Sequence, residues 1–410
     1  MTLPKLRFGA YSSNWIPSKI GDIATVTSGG TPSRDNKNYW GGNIPWVTTS
    51  EIKYKNIYDS REKITAEGLK HSSAKLFNPG TILMAMYGQG NTRGDVAKLE
   101  IEAATNQACA AIIPHKDFDV DFIFQYLIRQ YEEIRGMSNE GGQKNLSGSI
   151  VKNISLHFPE LLEQKKIASF FSAVDKKISL LAKKHELLLQ YKKGVMQKLF
   201  NQEIKFKDKN GQHFQDWKFI SLAEMGATFN GLTGKSSEDF GRGAQYITYK
   251  QIFDSSKIDP SRFGLVNVAI DEDQHEARFG DLFFTSSSET SNEVGYCSAL
   301  LDDVKNLYLN SFCFGYRIKS FQVLSPNYAR FMFFSSKVRG DIVLLAQGST
   351  RYNISKAGFM KIKVPVPDIE EQEKIASFLE SLERKIDVIH IELELIKHYK
   401  QGLLQQMFVQ

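Results

Sequence analysis

The strongest constraint on the fold is one helical segment written twice. It runs from Pro159 to Phe200 and again from Pro367 to Phe408, each matching pair 208 residues apart with no gap. Glu163, Gln164, Lys166, Ile167, Ala168, Ser169 and Phe170 recur as Glu371, Gln372, Lys374, Ile375, Ala376, Ser377 and Phe378. Further along, Tyr191, Lys192, Gly194, Gln197 and Phe200 recur as Tyr399, Lys400, Gly402, Gln405 and Phe408. Apolar residues step by three and four in both copies: Ile167, Phe171, Val174, Ile178, Leu181, Leu188, Val195 and Leu199, then Ile375, Leu379, Leu382, Ile386, Ile389, Leu393, Ile396, Leu403 and Met407. This spacing predicts a coiled-coil seam on helices that do not fold alone. His185, Lys192 and Lys400 fall on the seam, where polar residues set register or partner orientation at a cost in stability. Pro159 and Pro367 precede acidic first turns (Glu160, Glu163; Asp368, Glu370, Glu371), which suit the positive end of a helix dipole. Two unrelated surface helices would leave the gapless repeat unexplained.

Each copy follows a region rich in short runs of Val, Ile, Phe and Thr broken by Gly, Asn and Pro, residues 1–158 and 202–366. Such runs read as strands with a few helices and not as a parallel nucleotide-binding alternation. The regions are unlike, yet a framework persists: Trp15 and Ser28-Gly29-Gly30 parallel Trp217 and Asn230-Gly231, and Trp46-Val47-Thr48 parallels Tyr246-Ile247-Thr248. Asn106 falls near the place of Asn310, and Asn145-Leu146-Ser147 matches Asn353-Ile354-Ser355. One fold used twice, with the segments between rewritten, accounts for both facts. The rewritten segments interleave basic and amide residues with aromatics. In the first region they supply Arg34, Lys37, Thr48, Thr49, Ser50, Lys53, His71, Arg93, Gln143, Lys144 and Asn145; in the second, Lys235, Arg242, Tyr249, Lys250, Asn292, Arg351, Tyr352 and Asn353. Arg, Lys, Asn and Gln match base edges in the major groove, whereas Ser, Thr and backbone amides suit phosphates. An ordinary solvated loop is the competing reading for each residue singly.

Composition narrows the class. A length of 410 residues fits two or three domains, and a formal charge of +6 leans mildly toward nucleic acid. Cys109, Cys297 and Cys313 form no Cys-x-x-Cys pair and the eight histidines are scattered, so neither a disulfide framework nor a zinc site is expected. The start, MTLPKLRFGA, has no apolar signal-peptide core, and no run of about eighteen apolar residues could cross a bilayer. A reducing cytoplasm is the expected location.

The segments PELLEQKKIASFFSAVDKKI and PDIEEQEKIASFLESLERKI, with GDIATVTSGGTPS, NIPWVTTSEI, HSSAKLFNPGTIL and TNQAC, make the chain resemble the specificity (S) subunit of type I restriction-modification systems. The likeness covers essentially the whole length; the second half lacks GGTPS and IPW and resembles a different recognition-domain subtype. The resemblance implies an α+β fold: two similar strand-rich target recognition domains (1–158 and 202–366) and two long antiparallel helices (159–201 and 367–410) forming a coiled coil with pseudo-two-fold symmetry. It implies a bipartite, asymmetric target in double-stranded DNA. It also implies two M subunits that methylate adenine N6 with S-adenosylmethionine, and R subunits driven by ATP with Mg²⁺. Gln164, Lys166, Gln372 and Lys374 are expected on exposed helix faces that dock the M subunits. The chain itself is expected to be non-catalytic, with no cofactor or metal of its own.

Signatures of the enzymatic alternative are fragmentary. Gly234-Lys235-Ser236 ends like a phosphate loop, but Phe229 stands where the first glycine is needed; His275-Glu276 starts like a zinc-protease helix, but Phe279 replaces the second histidine. Glu51-Ile52-Lys53 is the best nuclease-like pair. A self-contained nuclease or methyltransferase, or a coiled-coil docking scaffold, are the two alternatives.

Overall fold

The computed structural model describes residues 3–88, 92–137, 145–269 and 271–409. The repeat appears as two uninterrupted helices, Leu161–Phe200 and Ile369–Met407. The chain divides into two compact units, Met1–Lys183 with His390–Gln410, and Lys184–Ile389, so the division cuts both helices near their middles.

In the first unit a five-stranded sheet runs in the order Ala24–Ser28, Cys109–Pro114, Ile82–Ala85, Val96–Leu99, Asn56–Ile57. A second sheet runs Glu62–Ile64, Trp40–Val47, Ala103–Thr105, Leu76–Phe77, and Ile16–Lys19 pairs with Ser155–Phe158. Successive side chains of a strand point to opposite faces, and here they divide between two cores. Ile82, Met84, Ala110 and Ile112 join Phe122, Tyr126 and Phe158. Leu83, Ala85, Cys109 and Ala111 join Val47, Ile52 and Phe77 under the second sheet. Burial on both faces explains why these strands are unbroken apolar runs.

The second unit repeats this strand order with one strand fewer in each of the two sheets. Gly226–Asn230, Cys313–Ile318, Leu282–Thr285 and Cys297–Ala299 form its main sheet; Gly264–Val266, Phe240–Ile247 and Leu307–Leu309 form its second; Lys218–Ser221 pairs with Lys363–Val366. Even the irregularities recur. The long strand jumps register against its neighbour between Trp40 and Ile44 in one unit and between Phe240 and Ala244 in the other. Its parallel pairing carries Asn106 N–H to the Val47 carbonyl and Asn310 N–H to the Ile247 carbonyl. One sheet is new to the second unit: Ser287–Ser288, Tyr352–Ile354 and Ala346–Gln347.

Each unit owns a part of both helices, packed antiparallel. In the first, Phe171 meets Phe408 with ring centroids 5.7 Å apart and Lys400 reaches Asp175 at 2.7 Å. In the second, Lys192 reaches Glu383 at 2.6 Å, and Leu199 shares a core with Ile375 and Leu379. The seam lysines thus meet carboxylates at matching places in the repeat. Ile167, Phe171, Leu403 and Met407 enter the core of the first unit beside Trp15 and Phe122, and each such fully buried side chain stabilises it by about 1.5–3 kcal/mol.

The chain before each recognition region fastens to a helix start in parallel ways. Phe8 packs edge-on against Phe170 at 5.9 Å, and Phe206 against Phe378 at 5.9 Å. Leu6 N–H donates to the Gln406 carbonyl as Ile204 N–H donates to the Lys198 carbonyl. Residues 3–14 therefore do for the first unit what 202–216 do for the second.

Candidate nucleic-acid interface

The Thr31–Tyr39 loop of the first unit leaves the main sheet through Gly29 and Gly30. A Cβ on Gly29 would lie 2.0 Å from the Thr105 carbonyl oxygen and one on Gly30 2.3 Å from the Ser73 carbonyl carbon, so this close approach demands both glycines. Beyond them Arg34 stacks 3.7 Å over the Trp40 ring and holds Glu62 through both terminal nitrogens. That contact keeps the Glu62 carboxyl below the usual carboxylate range. Lys37 is exposed on the turn Lys37–Tyr39, and His71, capping the helix Ala66–Lys70, stacks on Tyr39 at 6.3 Å. Thr65 Oγ donates to the Asn38 carbonyl at 2.8 Å and ties loop to helix. Arg34, Lys37 and His71 are thereby carried on one joined loop-and-helix element.

Thr48, Thr49 and Ser50 form the next turn. Glu51 accepts from the Thr48 backbone at 3.0 Å and the Arg61 backbone at 2.9 Å, a capping box with Thr48. The carboxylate suspected of nuclease chemistry is thus a structural cap. Lys53 is exposed and lines a groove of 420 Å³ with Ser50, Lys55, Tyr58 and Arg61. Lys55, Tyr58 and Arg61 add to the sequence candidates, and the basic stretch interleaved with tyrosine from Lys53 to Arg61 is the signal that marks them. Arg93 departs from expectation. Its guanidinium is half-buried and donates to the Arg135 carbonyl at 2.8 Å, which turns it into the unit. Asn145 is half-buried beside Leu146, whose N–H donates to the Met86 carbonyl. Gln143 and Lys144 lie outside the described residues.

In the second unit the extra sheet gathers candidates that are far apart in sequence. Asn353 pairs with Ser287 and Tyr352 with Ser288, while Tyr249 donates its hydroxyl to the Ser287 carbonyl at 2.8 Å. Tyr249 and Arg351 line a groove of 390 Å³ with Phe253, Phe312, Glu289 and Glu293, and burial pushes the Tyr249 phenol up. Tyr249, Phe253 and Tyr296 are stacked in succession at 6.2 and 5.1 Å. Asn292 is exposed, its carbonyl accepting from Arg339 at 3.0 Å. Arg242 stands exposed at the register jump between Gly241 and Gly243, both in left-handed conformation. Lys250 is exposed and pairs with Asp254 at 3.0 Å. Lys235 corrects its expectation: its side chain is 5 % exposed and bound to Glu272 at 2.5 Å, so it closes a loop and does not offer a free charge.

The domain model described as "Type I restriction modification DNA specificity domain" matches residues 12–190 and 215–398, one match in each half. The chain belongs to this family. It is 29 % identical over 271 residues to the type I restriction enzyme MjaIX specificity subunit of Methanocaldococcus jannaschii, an alignment covering 62 % of each chain. It is 24 % identical to the putative MjaX specificity subunit of the same organism, over 98 % of this chain and 94 % of that one. Among solved structures, the type I S subunit from M. genitalium superposes with a TM-score of 0.60 at 16 % identity, covering 100 % of this chain and 99 % of that one.

As a type I specificity chain, the protein is a recognition component and not itself the catalyst. The structure corrects the expectation that both glutamines lie on exposed helix faces. Gln164 and Gln372 are buried, not exposed. The Gln164 side chain accepts from Asp119 N–H at 3.0 Å and donates to the Pro159 carbonyl at 2.9 Å. Gln372 accepts from Ser325 N–H at 2.9 Å and donates to the Val323 and Pro367 carbonyls, both at 2.8 Å. The repeated Gln therefore clamps each long helix to the start of a short one, because buried backbone groups need partners. Lys374 donates to the Lys207 carbonyl at 2.7 Å and fastens the connecting segment, while Lys166 is exposed near the Phe8 ring. Among the described residues no helix is long and apolar enough to cross a membrane.

Proposed function

We propose that this chain is a cytoplasmic DNA-specificity subunit that reads a bipartite, asymmetric target in duplex DNA, one block per unit. The observation that carries the reading is the repeated framework with unlike loops. Strand order, register jumps and helix clamps recur, while the polar loops of the two units differ in most of their residues and in part in conformation, the long strand being followed by the short turn Thr49–Glu51 in one unit and by the helix Tyr249–Asp254 in the other. A framework kept twice with its loops rewritten is what two readers of different sequences require. Two M subunits using S-adenosylmethionine dock on the helices, and R subunits using ATP and Mg²⁺ complete the complex. Apolar residues on the outer helix faces support docking better than the buried glutamines. In the first unit Ile391, Leu395 and Tyr399, one turn apart, are 58, 66 and 60 % exposed; in the second unit Leu187 and Tyr191, the repeat mates of Leu395 and Tyr399, are 50 and 53 % exposed. Outer positions of a coiled coil are normally polar, and each unit carries one such patch.

Mapping methylated adenines on DNA exposed to the chain with its M partner tests the reading: two unlike blocks separated by a fixed gap are expected, and a palindromic or contiguous motif counts against it. For docking, native mass spectrometry of Leu395→Asp and Leu187→Asp is expected to show loss of one M subunit each. Retention of two M subunits by the double variant would overturn the assignment.

A further inference from the structure

We propose that Arg34 is a guanine-reading residue for the block bound by the first unit, with Glu62 and Trp40 as its positioning residues; this rests on the DNA-reading function proposed above. An exposed arginine ordinarily samples many rotamers. Arg34 has a side chain 53 % exposed and yet is held on two sides. Its guanidinium lies 3.7 Å over Trp40 and 5.0 Å from the centroid of Trp46. Trp40 is itself fixed by its indole N–H to the Ser33 carbonyl at 3.0 Å and by edge contact with Trp46 at 5.0 Å; Trp46 is buried and donates to the Gly30 carbonyl at 2.9 Å. Glu62 engages the two terminal nitrogens, one hydrogen on each. The Nε–H and the second hydrogen of the adjacent terminal nitrogen remain, two parallel donors along one edge. That edge matches the O6 and N7 acceptors of guanine in the major groove, and an arginine fixed in advance loses less freedom on binding.

The second unit provides the control. It keeps the aromatic pair as Phe240 against Tyr246, 5.2 Å apart, and it keeps the register jump. Between Leu232 and Phe240 it has no arginine, and Gly264 stands opposite Tyr246 where Glu62 stands opposite Trp46. The framework closes without the Arg–Glu couple, so the couple is not required to form it.

The test is methylation of a library of target variants by the complex of the chain with its M subunit. Arg34→Ala is expected to reduce discrimination for guanine about 5- to 150-fold at a single position of the first block, leaving the second block unchanged. Glu62→Gln is expected to weaken preference at that same position to a smaller degree, and Arg34→Lys not to restore it. Unchanged preference, or an equal loss over all sequences, overturns the assignment and makes Arg34 a structural ion pair or a phosphate contact. Unfolding midpoints equal to wild type keep a folding defect from imitating either result. If the wild-type complex yields no two-block motif, the proposed function fails; if it yields one that Arg34→Ala leaves unaltered, this inference alone fails.

Discussion

The two units reach one architecture from sequences that share few residues outside the helices, and they differ most where the same position is buried with different company. Glu163 and Glu371 are mates in the repeat, each at a long helix's first turn and both buried. Glu163 meets Arg7 in a two-point ion pair, 2.6 and 2.7 Å. Glu371 accepts the indole N–H of Trp217 at 2.9 Å in place of an arginine, and burial holds its carboxyl above the ordinary glutamate range. Trp15, the counterpart of Trp217, packs against Phe408 as Trp217 packs against Phe200, but its indole N–H has no hydrogen-bond partner among the described residues. The comparison teaches that the framework tolerates two solutions for one buried carboxylate: supply a cation from the preceding segment, or raise its affinity for a proton.

Removing the cation breaks this comparison most sharply. Arg7→Ala strands a buried charge and is expected to cost the first unit about 3 kcal/mol or more, measured by chemical denaturation. A loss no larger than that of an exposed arginine would mean Glu163 is not desolvated as its burial indicates. The second unit should respond to pH in the opposite sense from a typical salt-bridged carboxylate. Because the folded Glu371 binds its proton more tightly than the unfolded chain does, its contribution is fully present below the unfolded glutamate value and is lost as pH rises through the higher folded value. Glu371→Gln, which keeps an acceptor for Trp217, is therefore expected to stabilise the second unit at neutral pH, with the advantage shrinking as the solution is acidified toward about pH 4. A pH-independent difference would remove the charge from the explanation. The smallest effect is expected at the exposed pair Lys177 and Glu392, 3.1 Å apart in the first unit. Lys177→Ala should change stability by about 0–1 kcal/mol and less in high salt, whereas Lys192→Ala, at the seam beside the buried Arg330 and the half-buried Glu383, should exceed it.

Much of the fold was legible in the chain. The two helices, their seam and the lysines placed on it follow from periodicity, and short framework words such as Trp46-Val47-Thr48 and Tyr246-Ile247-Thr248 mark strands that pair in the same way. The placement of the candidate contact residues was legible only in part. Arg34, Lys53 and Arg242 are exposed, but Lys235 is sequestered by Glu272, thirty-seven residues away, and Arg93 is held by the carbonyl of Arg135, forty-two residues away. Neither partner can be named from local spacing.

What the sequence by itself determined was the duplication and the helical register, because burying an apolar stripe on a helix or a strand needs only a period of residue types along the chain. What only the tertiary structure decided was the fate of its polar groups. Gln164 and Gln372 look like surface residues in any helical reading. They are buried because Asp119 and Ser325, far away in the chain, bring backbone N–H groups that their side chains satisfy, and a polar side chain is buried or exposed according to the partners that folding delivers to it.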